Sequence, residues 1–172
     1  MNKEEKQKNS YLNQLKAEFP EFDTEDKKIF ELTETDFPFS WKDPLKAADN
    51  VLKMLARHMS LNHKRIELMF YEQYPEDDVE NPSSIFLRFK NEKKSTLTDY
   101  QSPVKRYSLN FNASVFEYAD WVIAAIAHEL CYLKLLENGN FDLTDEKLIE
   151  VATIYFGFGK IQLVSYENYK KK

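Results

Sequence analysis

Residues 127–133, with the sequence AHELCYL, hold the side chains of this chain best suited to chemistry. Two histidines four residues apart on a helix share one face and can bind a zinc ion, while a glutamate beside the first histidine polarises a bound water. His128 and Glu129 supply the first imidazole and the carboxylate. Tyr132 occupies the position of the second histidine, so the segment lacks one of the two imidazoles that such a site needs.

Two consecutive helices are predicted to position these side chains. Ser114 and Glu117 form a capping box, which predicts the start of a long apolar helix that runs to about Glu137. Thr144 opens a second helix with acidic residues in its first turn, and this helix ends near the glycines of residues 157–159. We expect these helices to form a pair in the C-terminal half of the chain.

The segments before this pair predict one helix and a small sheet. Asp43 followed by Pro44 is typical of a helix start, and apolar residues at helical spacing extend the helix to about Met59. Alternating or apolar runs predict three strands, at residues 66–71, 85–89 and 106–112. An acidic loop at residues 75–82 separates the first two. The expected fold class is α+β, with a small, mostly antiparallel sheet packed against helices.

The length of 172 residues fits one domain, which we place at residues 43–172 after an N-terminal charged and aromatic arm at residues 1–42. Residues 2–18 are polar with leucines on one side, which indicates a short surface helix or a frayed arm. Residues 19–41 mix acidic and aromatic side chains. Their rings could fill the core or form an interface, and the usual burial of aromatic residues favours the core.

The order of motifs resembles that of the zincin metallopeptidases, and most closely small bacterial zincin-like domains. Those domains pair an A-H-E-L-x-H helix with a D-E-x-L-x-[DE] helix that ends in F-G-F-G. Here the matching residues are 127–130, 145–150 and 156–159, and the resemblance extends over roughly residues 106–160. It implies that His128 is the first zinc ligand, Glu129 the general base and Glu150 the third ligand, with Tyr132 in place of the second histidine.

Because the second imidazole is missing, two different functions are compatible with this resemblance. We expect a catalytically inactive zincin-like domain, with no cofactor, that acts as a protein-binding module, for example as an immunity or inhibitor protein for a toxin. The alternative is a zinc-dependent peptidase or amidohydrolase with a non-standard ligand set. In that enzyme Glu129 would activate a metal-bound water, and a substrate would pair with an edge strand at residues 106–112.

Other residues could complete or replace a metal site. Cys131 could bind zinc as a thiolate, but a small buried cysteine packed against the sheet is the more common arrangement. His58 is expected to interact with a helix dipole, and His63 to lie solvated in a loop. Without a metal, His128, Tyr132 and Glu150 would form a buried hydrogen-bonded cluster.

Composition limits the partners and the compartment. The net charge of −5 argues against nucleic-acid and anionic-membrane binding, whereas 13 Phe, 10 Tyr and 2 Trp suit a packed core or a protein interface. The single cysteine excludes an intrachain disulfide, and the polar N-terminus does not resemble a signal peptide. We therefore expect a protein partner and a cytoplasmic location.

Overall fold

Helices dominate this computed structural model, which describes residues 2–71, 86–90, 106–112 and 118–170. The α-helices of the described residues are α1 (Lys3–Glu18), α2 (Pro44–His58), α3 (Ala119–Asn138), α4 (Glu146–Tyr155) and α5 (Gly159–Lys170). The strands are β1 (Ile66–Tyr71), β2 (Phe86–Lys90) and β3 (Arg106–Asn112), and single 3₁₀ turns lie at Pro20–Phe22 and His63–Arg65. The predicted loop at residues 75–82 lies outside the described residues.

The sheet has the order β1-β3-β2 and is mixed. β1 is parallel to β3, with Leu68 opposite Leu109, and β2 is antiparallel to β3, with Leu87 opposite the same residue. The prediction of a mostly antiparallel sheet was therefore wrong. An alternating pattern determines which face of a strand is buried, but it carries no information about the direction of the neighbouring strand.

β3 is the central strand, and its side chains at residues 107–111 are buried on both faces. Tyr107, Leu109 and Phe111 lie in the hydrophobic core, while Ser108 and Asn110 are buried on the other face. Asn110 satisfies its amide there by donating to the Ser108 carbonyl and hydroxyl oxygens, both at 3.2 Å. Because β3 is paired on both sides, the prediction that it is an edge strand able to pair with a substrate was wrong.

Local sequence signals fix α2 and most of the C-terminal helix pair. Asp43 caps α2 by accepting from the Lys46 backbone N–H, as predicted. Residues 114–117, the predicted start of α3, lie outside the described residues, and the helix runs from Ala119 to Asn138. The N-cap of α4 is Asp145 rather than Thr144, because the Asp145 carboxylate accepts from the Lys147 N–H at 3.0 Å.

The N-terminal segment, residues 1–42, contributes to the same core as the rest of the chain. Leu15 of α1 is fully buried, and the rings of Phe19, Phe22, Phe30 and Phe37 are buried as well. The Tyr155 phenol of α4 donates to the Phe19 carbonyl at 2.7 Å. The prediction that these rings fill the core is thus confirmed, whereas the domain boundary after residue 42 stays a prediction.

The turn between α4 and α5 approaches the N-terminal segment backbone to backbone. Phe30 donates its backbone N–H to the Gly157 carbonyl at 2.9 Å. Gly157 has a φ of +92°, and a Cβ there would lie 2.2 Å from the Lys28 carbonyl oxygen. Glycine is therefore required for its left-handed conformation and for its lack of a side chain.

We predict that Gly157→Ala lowers the free energy of unfolding by at least about 2 kcal/mol, because it combines a left-handed alanine with a backbone clash. Gly139→Ala is the matched control, since Gly139 has a φ of +78° and a methyl group there would meet no other atom within 4 Å. It should cost about 1 kcal/mol. Urea denaturation of both variants measures the difference, and equal losses would show that the close approach to Lys28 is unimportant.

Candidate functional site

His128 and Glu129 lie on the side of α3 that faces away from the core. The opposite side of the helix is buried, and includes Val122, Ile126, Leu130 and Leu133. The His128 side chain is 46% exposed and that of Glu129 is 15% exposed. His128 is therefore accessible to solvent and Glu129 is mostly covered, while the opposite side of α3 is buried in the core.

The Glu129 carboxylate contacts the side chain of the preceding residue, His128. Its Oε1 lies 3.2 Å from Nδ1 of His128. Because an ionised carboxylate can only accept, this contact favours the neutral tautomer that has its proton on Nδ1, and in that tautomer Nε2 keeps its lone pair. Glu129 thus orients the imidazole, which is a different role from the general base that the resemblance implies. The Nε2 lone pair is the group that could accept a proton or bind a metal ion.

Tyr132 and Glu150 differ in their surroundings. Tyr132 lies one turn after His128 and packs, partly buried, against the core. Glu150 is exposed on α4, whose buried side carries Ile149 and Thr153. The predicted buried cluster of His128, Tyr132 and Glu150 is therefore not formed.

No group of three or more His, Cys, Asp or Glu side chains suited to a metal ion occurs among the described residues. The assignment of His128 and Glu150 as metal ligands, and of Glu129 as a catalytic base, stays a prediction.

Cys131 is a packing residue at the contact between α3 and α4. It is fully buried, and its thiol lies within hydrogen-bonding range of Thr153. Burial raises the pKa of the Cys131 thiol far above its usual value, so the thiolate that would bind zinc is strongly disfavoured. Its burial confirms the expectation from the sequence, and its thiol lies beside Thr153 of α4.

His58 has a structural role that the sequence did not reveal. Its Nε2 lies 2.9 Å from the Phe156 carbonyl oxygen, to which it donates. The rings of Phe22, Phe30 and Phe158 surround it edge to face, with centroid distances of 5.5, 4.9 and 5.6 Å. Burial lowers the pKa of His58, and the nearby Lys28 ammonium lowers it further. His63 instead opens the short turn before β1 and is partly exposed.

A cleft of about 480 Å³ lies between the start of α2 and the beginnings of β1 and β3. Its lining includes three basic side chains (Lys64, Arg65 and Arg106) and two acidic ones (Asp49 and Glu67). Arg65 also binds Glu137 at 3.3 Å, and the Tyr107 phenol donates to the same carboxylate at 3.2 Å. These contacts fasten the end of α3 to the sheet, and the lining includes no residue of α3.

The comparisons with known proteins add no relative. No protein-family model, curated protein or solved structure matches this chain. The resemblance to the zincins accordingly rests on the residues named above.

None of the helices in the described part of the chain is, by itself, long and apolar enough to cross a membrane. α4 and α5 reach that apolarity only together, across a bend of 114°.

We predict that His58 makes the fold less stable at mildly acidic pH. The unfolded chain binds this proton with a pKa of about 6.5, whereas burial lowers the pKa in the folded protein. Stability that is present above this pH is therefore lost as the pH falls through 6.5 towards the folded pKa.

His58→Gln is the matched variant, because a glutamine amide can still donate to the Phe156 carbonyl and does not titrate. Urea unfolding at several pH values between 7.5 and 5.5 should show a smaller loss of stability in this variant than in the wild type. Parallel pH profiles would exclude His58 as the titrating group.

Proposed function

We propose that the protein is a non-catalytic protein-binding module whose binding face is the outer surface of α5 together with Ile154 of α4. The observation that supports this proposal is the exposure of four large hydrophobic side chains. Ile154 is 64% exposed, Leu163 58%, Tyr166 56% and Val164 38%. Large apolar side chains that are clustered at a surface are typical of protein interaction sites.

Ile154 adjoins the start of α5 because α4 and α5 meet at a sharp turn. Gly159 is the first residue of α5. The Cγ1 atom of Ile154 lies 3.1 Å from the point that a Cβ at Gly159 would occupy. Burying one leucine or isoleucine side chain against a partner contributes about 1.5 to 3 kcal/mol. Tyrosine adds a large apolar ring with a polar tip, a combination that is enriched at interfaces. A small contact of this kind can therefore stabilise a complex.

Contacts on the opposite side of α5 fix this helix to the rest of the protein. Ile161 is fully buried, and the Gln162 side chain donates to the Ala124 carbonyl oxygen of α3 at 2.6 Å. Further along α5, Asn168 donates to the Asp120 carboxylate at 3.1 Å. Because α5 is already ordered by these contacts, binding costs little additional conformational entropy.

The charge of the chain suits a basic partner. With a net charge of −5, the protein would attract a positively charged protein at long range and orient it before contact. An inhibitor that blocks a basic toxin, as an immunity protein does, is one function that combines an acidic surface with an apolar contact.

We predict that Leu163→Asp weakens partner capture at least about tenfold, because it places a charge in the centre of the apolar face. Leu45→Asp is the matched control, since Leu45 is 50% exposed but lies at the start of α2. The wild type and both variants would each be immobilised and incubated with extract of the source cells. Mass spectrometry would quantify the proteins that each of the three retains. Equal retention by all three folded proteins would contradict the proposed binding face.

The second candidate is a zinc-dependent hydrolase, which the solvent-accessible His128 favours because its Nε2 lone pair is available in the tautomer that the contact with Glu129 stabilises. Its weakness is the number of ligands, since catalytic zinc sites use three protein ligands and a water. In such an enzyme, Glu129→Gln should abolish turnover of a peptide or amide substrate without unfolding the protein.

Elemental analysis of untagged protein purified without chelator distinguishes the two candidates. We expect well below one zinc ion per wild-type chain, and a higher zinc content in Tyr132→His, where the second imidazole is restored. Near-stoichiometric zinc in the wild type would favour the hydrolase and contradict the non-catalytic module.

A further inference from the structure

The outer face of α5 carries a short charge pattern in addition to its apolar side chains. Lys160, Leu163, Val164 and Glu167 are spaced i, i+3, i+4 and i+7, so they lie on one side of the helix. All four are exposed, while Ile161 and Ser165 are buried on the opposite side. The two charges are opposite in sign and about 10 Å apart along the axis, with the apolar pair between them.

This pattern is complementary to itself. When two copies of α5 pack antiparallel about a two-fold axis, Lys160 of each copy lies opposite Glu167 of the other. Leu163 and Val164 then meet the same two residues of the second copy at the centre. A two-fold axis requires a surface patch that matches itself in this way. A parallel arrangement would place like charges side by side.

We propose that the outer face of α5 binds a second copy of this chain, and that the protein is an antiparallel homodimer through that helix. This inference rests on the proposed function, in which the same face binds protein, but it takes a second copy of the chain as the occupant of the face in place of a basic protein. The distribution of charge favours a contact between two copies at the outer face of α5. The chain as a whole is acidic and repels its own copies, but in this arrangement Lys160 of each copy attracts Glu167 of the other.

Residues beside the central pair can add to the contact between the two copies. Tyr166 and Ile154 extend the exposed apolar surface beyond the central pair. Lys160 forms an ion pair with Glu31 within its own chain, and its ammonium has three donors, so it can bind Glu167 of the second copy at the same time. A contact through one helix is small compared with the roughly 800 Å² per partner of a standard interface. We therefore expect a dimer that dissociates at micromolar concentrations.

Analytical ultracentrifugation over a range of concentrations tests the dimer. The wild type should reach twice the 20.4 kDa mass of one chain. Lys160→Glu places two acidic pairs across the interface, and Glu167→Lys two basic pairs, so each variant alone should dimerise at least about tenfold more weakly. Lys42→Glu is the charge-matched control, because Lys42 is exposed and lies before α2.

An equimolar mixture of Lys160→Glu and Glu167→Lys is the decisive sample. In a mixed dimer each altered side chain faces an opposite charge, so the mixture should recover the dimer that neither variant forms alone. Unfolding of either variant could not be repaired by mixing, and circular dichroism of each checks its fold. A mixture that stays monomeric, or single variants that dimerise like the wild type, would overturn the antiparallel pairing.

A wild type that is monomeric at every concentration would also overturn the homodimer, with different consequences for the proposed function. Leu163-dependent capture of a foreign protein by this monomer would mean that the face binds a different partner. Retention on lipid vesicles instead would assign the face to a membrane surface. A monomer without either activity would contradict the homodimer and the protein-binding function together.

Discussion

The carbonyl oxygens of Phe156 and Gly157 hold three distant parts of the chain at one turn. The first accepts from His58 at the end of α2, and the second accepts from the Phe30 backbone N–H of the N-terminal segment, both at 2.9 Å. This arrangement requires the backbone of Gly157 to lie against the Lys28 carbonyl, where no Cβ can fit. The direction in which α5 leaves the turn, and hence the orientation of its outer face, depends on this contact.

Aromatic rings complete the same region. His58 packs against Phe22 and Phe30 of the N-terminal segment and against Phe158, which lies just before α5. Burial favours its neutral form, whose one N–H is used by the Phe156 carbonyl. The aromatic residues of the N-terminal segment thus form part of the core that supports the C-terminal helices. This explains why so aromatic a chain exposes few rings outside α5 in its described part.

α3 connects the two surfaces that could carry function. One side of this helix presents His128 to solvent beside the mostly buried Glu129, while another side binds α5 through the Ala124 carbonyl oxygen. At the first surface the carboxylate orients the imidazole, and Glu150 is exposed on a neighbouring helix. At the second, exposed apolar side chains and a self-complementary pair of charges lie on a rigid helix. The second surface exposes more large apolar side chains than the first, and its backbone is already ordered by contacts with α3.

Local sequence signals were sufficient for α2, for the end of α3 and for the segments that form β1 and β3, because caps, prolines and hydrophobic periodicity act over a few residues. They also placed His128 beside Glu129 on a helix. The direction of β1 relative to β3, the central position of β3 and the exposure of Glu150 depended on tertiary packing, which brings together residues far apart in sequence. His58 is the clearest case: its position near a helix end was evident from the sequence, but its partner at Phe156 is 98 residues away. No local pattern encodes such a contact, because it exists only once the end of α2 packs against the turn between α4 and α5.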